Sequence, residues 1–171
     1  MPAQSPKPPN SPKQKHHSPK PKKEVGQAMD ISQEIVQTIN NLDGGKLHAY
    51  PIRKLVQQAE KFGPYLKQQR LETNQIRKFL DAVNRLKVKR AQYEENRDRS
   101  ENEQQIFAAI EPEIVLLKPK LAYAAARQKA AKPLSQVMSA AIDRVESLDD
   151  FSRLVQLIEA IIAYHKAEGG K

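Results

Sequence analysis

The side chains able to do chemistry are few, and their spacing argues against catalysis. Four histidines, His16, His17, His48 and His165, are scattered along the chain. None forms the His-x-x-x-His pair that sets two imidazoles on one helix face for a metal. Cysteine is absent, which removes disulfides, thiolate zinc sites and thiol nucleophiles together. No glycine-rich loop of the kind that cradles phosphate is present. The carboxylate pairs Glu94-Glu95 and Asp149-Asp150 fall in charged or capping contexts, where solvation or the helix dipole accounts for them. A general acid or base needs a buried, tuned position, and no residue set offers one. No catalytic residue, cofactor or metal ligand is assigned, and the chain reads as a binding protein rather than an enzyme.

What remains is positive charge. The net charge is +9 and the isoelectric point about 9.7, a balance that favours polyanionic partners and says nothing about fold. Its distribution is more telling. Residues 77–90 carry Arg77, Lys78, Arg85, Lys87, Lys89 and Arg90 against Asp81, a local balance of +5. Residues 118–132 carry Lys118, Lys120, Arg127, Lys129 and Lys132 with no acid, again +5. Residues 133–171 hold four cations against six acids. A groove between the two basic helical stretches could track a phosphate backbone. Arg77, Lys78, Arg85, Lys118, Lys120 and Arg127 are its candidate contacts. The plainer alternative is a pair of solvated faces with extended lysines. Tyr93 and Tyr123, the aromatics nearest these cations, could each stack a base. Tyr123 stands among alanines and is expected to pack instead. Without interleaved aromatics, backbone and shape contacts are expected rather than base-specific reading.

The elements that must position these cations are helical. Aromatics make up 5% of the chain, Trp is absent and there are six glycines, a poor composition for strands and tight turns. Good helix formers dominate from Asp30 onward. Ile31, Ile35, Ile39 and Leu42 mark a first helix, stopped by Gly44-Gly45. A second begins at Pro51 as its first helical residue and closes at Gly63-Pro64. Thr73 is the predicted N-cap of a third, whose apolar face is Ile76, Phe79, Leu80, Val83 and Leu86. The run from Glu94 to Glu103 reads as a solvated helix extension or a mobile connection. A fourth segment spans Ile106 to Ala125, with breaks or kinks expected at Pro112 and Pro119, and ends at Lys132-Pro133. The fifth holds Leu134 to Val145. The sixth opens at Ser147, with Asp150 completing an approximate capping box.

The fold class is therefore all-α, a compact bundle of about five or six helices. Residues 1–24 are rich in Pro and Lys and cannot form a core, so a disordered basic tail precedes a single helical domain over 25–171. No apolar run approaches a membrane span and the first residues lack a signal peptide's apolar stretch. A cytoplasmic protein is expected.

Two internal stretches go beyond composition. Gln75-Ile76-Arg77-Lys78-Phe79, leading into Asp81-Ala82-Val83, resembles the first signature of the Csm small-subunit family of type III-A CRISPR systems. Leu116-Leu117-Lys118-Pro119-Lys120-Leu121-Ala122-Tyr123-Ala124-Ala125-Ala126-Arg127 resembles the second. Phe151 and the run Glu159 to Lys166 resemble the family's ending, so the likeness spans residues 73–166 in order. The resemblance implies a non-catalytic subunit of an RNA-guided antiviral ribonucleoprotein. Copies of it would stack along repeated backbone subunits beside a large subunit, in contact with guide RNA and target RNA. It also implies that Arg77, Lys78, Lys118, Lys120 and Arg127 contact phosphate, and Arg85 joins them on geometry alone. The Pro/Lys-rich tail, and helical material over residues 30–66, look like additions to the family pattern and leave a type III-D small subunit as an alternative. Outside the family, a generic helical adaptor or a basic DNA-associated helical protein would share the composition.

Overall fold

Residues 29–96 and 102–169 are described by the computed structural model. They contain seven α-helices and no strand: α1 (Ile31–Asn40), α2 (Ile52–Gln68), α3 (Thr73–Asn96), α4 (Glu103–Val115), α5 (Leu117–Arg127), α6 (Lys132–Ile142) and α7 (Leu148–Ala167). The predicted tail and residues 97–101 of the charged run lie outside the described residues. No described helix is long and apolar enough to cross a membrane.

The sequence of α7 puts it at the centre. Phe151, Leu154, Leu157, Ile158 and Ile161 recur at helical spacing on one face, Leu148, Val155 and Ile162 widen it, and all are buried. So broad an apolar face needs more than one neighbour to cover it. Packing of α2 runs along α7, with α3, α4 and α6 closing round it, while α1 lies against α6 and α2. Ile35 and Ile39 of α1 are fully buried in the same core cluster. A buried polar chain also ties α1 to α2. The Tyr50 hydroxyl donates to Gln58 Oε1, and Gln58 Nε2 donates to Glu34 Oε1 and Thr38 Oγ1, both at 3.0 Å. The helical material ahead of the motifs is thus part of the core rather than an appendage to it.

Helix ends show where local rules apply and where packing overrides them. Ser147 caps α7 as predicted, its Oγ accepting from Asp150 N at 3.1 Å. Pro51 is the cap of α2, with Ile52 the first helical residue. Gly63-Pro64 does not close α2, which runs on to Gln68. Gly63 lies against α7 so closely that a Cβ there would sit 2.5 Å from His165 N and 2.7 Å from the Tyr164 carbonyl carbon. The glycine serves helix contact, and burial of Leu66 one turn on offsets the hydrogen bond that Pro64 cannot make. Termination comes instead at Arg70, whose φ of 63° allows Leu71 N to reach Leu66 O at 3.0 Å and Arg70 N to reach Lys67 O at 2.8 Å. This is a Schellman motif with arginine where glycine is usual.

Thr73 is not an N-cap. It is the first helical residue of α3, and its buried Oγ1 has no hydrogen-bond partner among the described residues. Pro112 is accommodated inside α4. Pro119 acts at a distance: the break falls at Leu116, placing Pro119 in the first turn of α5, where its missing N–H leaves no intrahelical bond unmade. That break divides the predicted fourth segment into α4 and α5. A capping box unnoticed in the sequence starts α4, with Gln105 N donating to Asn102 Oδ1 and Asn102 N to Gln105 Oε1 at 3.0 and 2.9 Å.

Candidate nucleic-acid interface

The inner faces of α3 and α5 determine which cations meet. Ile76, Phe79, Val83 and Leu86 of α3 are buried, as are Leu117 and Leu121 of α5. Lys78 is thereby held at the margin of α3 that faces α5. On α5, Lys120, Ala124 and Arg127 recur at helical spacing beside the buried stripe. Between the helices lies a cleft of about 580 Å³ whose lining includes Lys78, Lys120 and Arg127 and no acidic residue. Leu71, Phe79, Leu121 and Leu134 line its apolar wall.

Three of the six predicted contacts are therefore brought together. The other three are not. Lys118 is two residues from Lys120, and residues so spaced do not share a helix face. Its ammonium instead pairs with Asp143 just past α6. Arg85 belongs to a separate shallow cleft between α3 and α4, beside Asp81 and Glu113. Arg77 is exposed and lines neither cleft. Of the six cations expected to line a single groove, three line the α3–α5 cleft. The reason is angular: charge balance along the chain counts residues without regard to the face they occupy.

The rest of the positive run on α3 is neutralised internally. Lys87 pairs with Glu159 at 2.8 Å, Lys89 with Glu113, and Arg90 with Glu94 at 2.8 Å. Arg90 also donates to Ser152 Oγ at 2.7 Å. The hydrogen bond to Glu113 raises the pKa of Lys89 above the ordinary lysine range. Lys78, Lys120 and Arg127 have no ion pair among the described residues.

Tyr123 departs from its expected packing role. It is 64% exposed and lines the cleft. The Arg127 guanidinium lies 5.6 Å from its ring centroid, and Arg127 Nη1 donates to the Tyr123 hydroxyl at 3.2 Å. Gln75 and Gln128, which sequence reasoning does not single out, also line the cleft. The amide oxygen of each is buried without a hydrogen-bond partner among the described residues. Gln75 opens the first signature stretch, but neither residue type nor spacing marks its amide, or that of Gln128, as facing the cleft.

Among the described residues no group of three or more His, Asp or Glu side chains could hold a metal. His48 donates from its backbone N and, through Nδ1, pairs with buried Asp150 at 2.7 and 2.8 Å. That contact fastens the turn before α2 onto the start of α7.

A small all-α protein with a cation-lined cleft between two of its helices is the class this arrangement defines. The family model described as Csm2 Type III-A matches residues 49–171, and the chain belongs to that family, a small subunit of the type III-A CRISPR complex. The match answers the question of subtype in favour of III-A. It begins at Ala49, so α2, expected from the sequence to be an addition, lies within the matched region. No curated protein matches the chain, and no solved structure does.

Proposed function

We propose that this chain acts in the type III-A complex as a non-catalytic, RNA-contacting subunit. Several copies stack along the backbone subunits and reach the large subunit, in the cytoplasm, with residues 25–171 working as one folded unit. Lys78, Lys120 and Arg127 hold phosphates of the guide and target RNA. Arg77 and Arg85 extend the contact along α3, and Lys118 joins when it leaves Asp143. The observation that carries this reading is the cleft itself. It gathers three cations with no acid in its lining, while Lys87, Lys89 and Arg90 on the same helix are paired within the protein. Cations left without an internal partner are those able to neutralise phosphate and release its counterions.

The test is co-expression with the backbone subunit and guide RNA, followed by native mass spectrometry of the purified particle. Several copies of this chain in an RNA-containing assembly are expected. A monomer that never joins correctly loaded partners overturns the proposal. Assembly that is indifferent to RNA would instead favour a helical adaptor. Loss of most nucleic-acid binding on deletion of residues 1–24 would favour a DNA-associated role for the tail.

A further inference from the structure

The α3–α5 cleft is more than a track for phosphates. A purely electrostatic contact needs cations on a surface. This one has depth and an apolar wall, and at about 580 Å³ it falls within the roughly 300–1,000 Å³ typical of small-molecule sites. Two buried amide oxygens, on Gln75 and Gln128, stand in that lining without partners among the described residues. Buried polar atoms in native proteins are almost always satisfied, so two in one cleft point to a ligand that donates hydrogen bonds. At the mouth, Tyr123 presents an exposed ring beside the Arg127 guanidinium.

Resting on the RNA-contact reading above, we infer that the cleft receives one unstacked nucleobase of single-stranded RNA, of the kind that carries an exocyclic amino group. Each part of the lining answers a part of such a nucleotide. Leu71, Phe79 and Leu121 face the flat apolar surface of the base. The amide oxygens of Gln75 and Gln128 accept from the two N–H bonds of its exocyclic amino group. Tyr123 stacks on the base or on its neighbour, and Lys78, Lys120 and Arg127 take the flanking phosphates. An acidic peptide would match the rim but leave the apolar wall and the two amide acceptors unused. Adenine, cytosine and guanine carry the amino group, whereas uracil does not.

The experiment measures fluorescence anisotropy of the full chain at low salt with labelled RNA oligomers of equal phosphate number: oligo(A), oligo(C), oligo(U) and an abasic chain. Expected are oligo(A) and oligo(C) binding about fivefold tighter than oligo(U), the worth of about one buried hydrogen bond. The abasic chain is expected to be about tenfold weaker than oligo(A), because stacking disappears as well. Combining Gln75→Leu with Gln128→Leu should remove the preference for amino-bearing bases and leave abasic binding unchanged. Should that double variant fail to fold, Tyr123→Ala, at an exposed position, should narrow the gap between oligo(A) and the abasic chain. Equal binding of all four oligomers overturns the base pocket while leaving phosphate contact standing. No binding of any oligomer overturns both.

Discussion

Asp150 ties the turn before α2 to the start of α7. Its carboxylate is fully buried and accepts from His48 N, His48 Nδ1, Glu146 N and Ser147 Oγ at 2.7, 2.8, 3.1 and 2.8 Å. Burial alone opposes its ionisation, but these hydrogen bonds together outweigh it and hold the pKa below the ordinary aspartate value. A carboxyl whose folded pKa lies below its unfolded value contributes stability above the unfolded pKa of about 3.9 and loses it as pH falls through the folded value. Asp150→Ala should therefore destabilise the protein by about 3 kcal/mol near neutral pH, since several donors lose a charged acceptor at once. Urea denaturation at pH 7 and again at pH 3 checks this, and the gap between variant and wild type should be smaller at pH 3. An equal gap at both values would show that packing, not ionisation, accounts for the loss. The acidic pair Asp149-Asp150 was legible in the sequence as a capping feature. The contact with His48, a hundred residues away in the chain, was not, because long-range pairing leaves no local pattern.

At the scale of the element, α2 against α7 is the interface that local rules misjudge. Gly63 followed by proline has the form of a helix stop, yet the helix passes through both residues. Replacing Gly63 with alanine raises intrinsic helix propensity by about 1 kcal/mol. A Cβ there meets backbone of α7 at 2.5 Å, and backbone cannot move aside as a flexible side chain can. Gly63→Ala is expected to destabilise by about 2 kcal/mol net, in the range for overpacked contacts. Urea denaturation would read this as a lower midpoint. A stabilised variant would mean that α2 does not lie against α7 as described. The apolar stripes of α3 and α7 were legible because periodicity of 3.6 residues reports one buried face. The stop at Arg70 was not, because a left-handed arginine carries no composition signal.

For the whole molecule, the proposed RNA contact depends on how charge is distributed over surfaces. Removing one cation from a phosphate should reduce the steepness of log affinity against log salt by roughly 0.7 for a single strand. The combined variant Lys78→Ala, Lys120→Ala and Arg127→Ala should therefore flatten the RNA salt slope by about 2, with helicity by circular dichroism unchanged. Lys118→Ala should flatten the slope less than Lys120→Ala, since Lys118 has to leave Asp143, on another face of α5, before it can reach RNA. Equal slope changes from Lys118→Ala and Lys120→Ala would show that the α3–α5 cleft is not the contact surface. Both lysines flank the same proline in the sequence. Only the helix rotation between them separates their roles.

The sequence by itself determined that the protein is helical and where its apolar faces lie. Helix propensity and apolar periodicity are local properties, written within a few turns of chain. Its motifs also carried the likeness to the Csm small subunits, and its basic stretches confined the candidate contacts to two segments. Tertiary structure decided which cations stay available, because ion pairing joins residues such as Lys87 and Glu159 that are distant in the chain. It likewise decided that Tyr123 faces outward and that Gln75 and Gln128 line one cleft. Those facts depend on the angle at which two helices meet, which side-chain packing across the whole core establishes and no short segment contains.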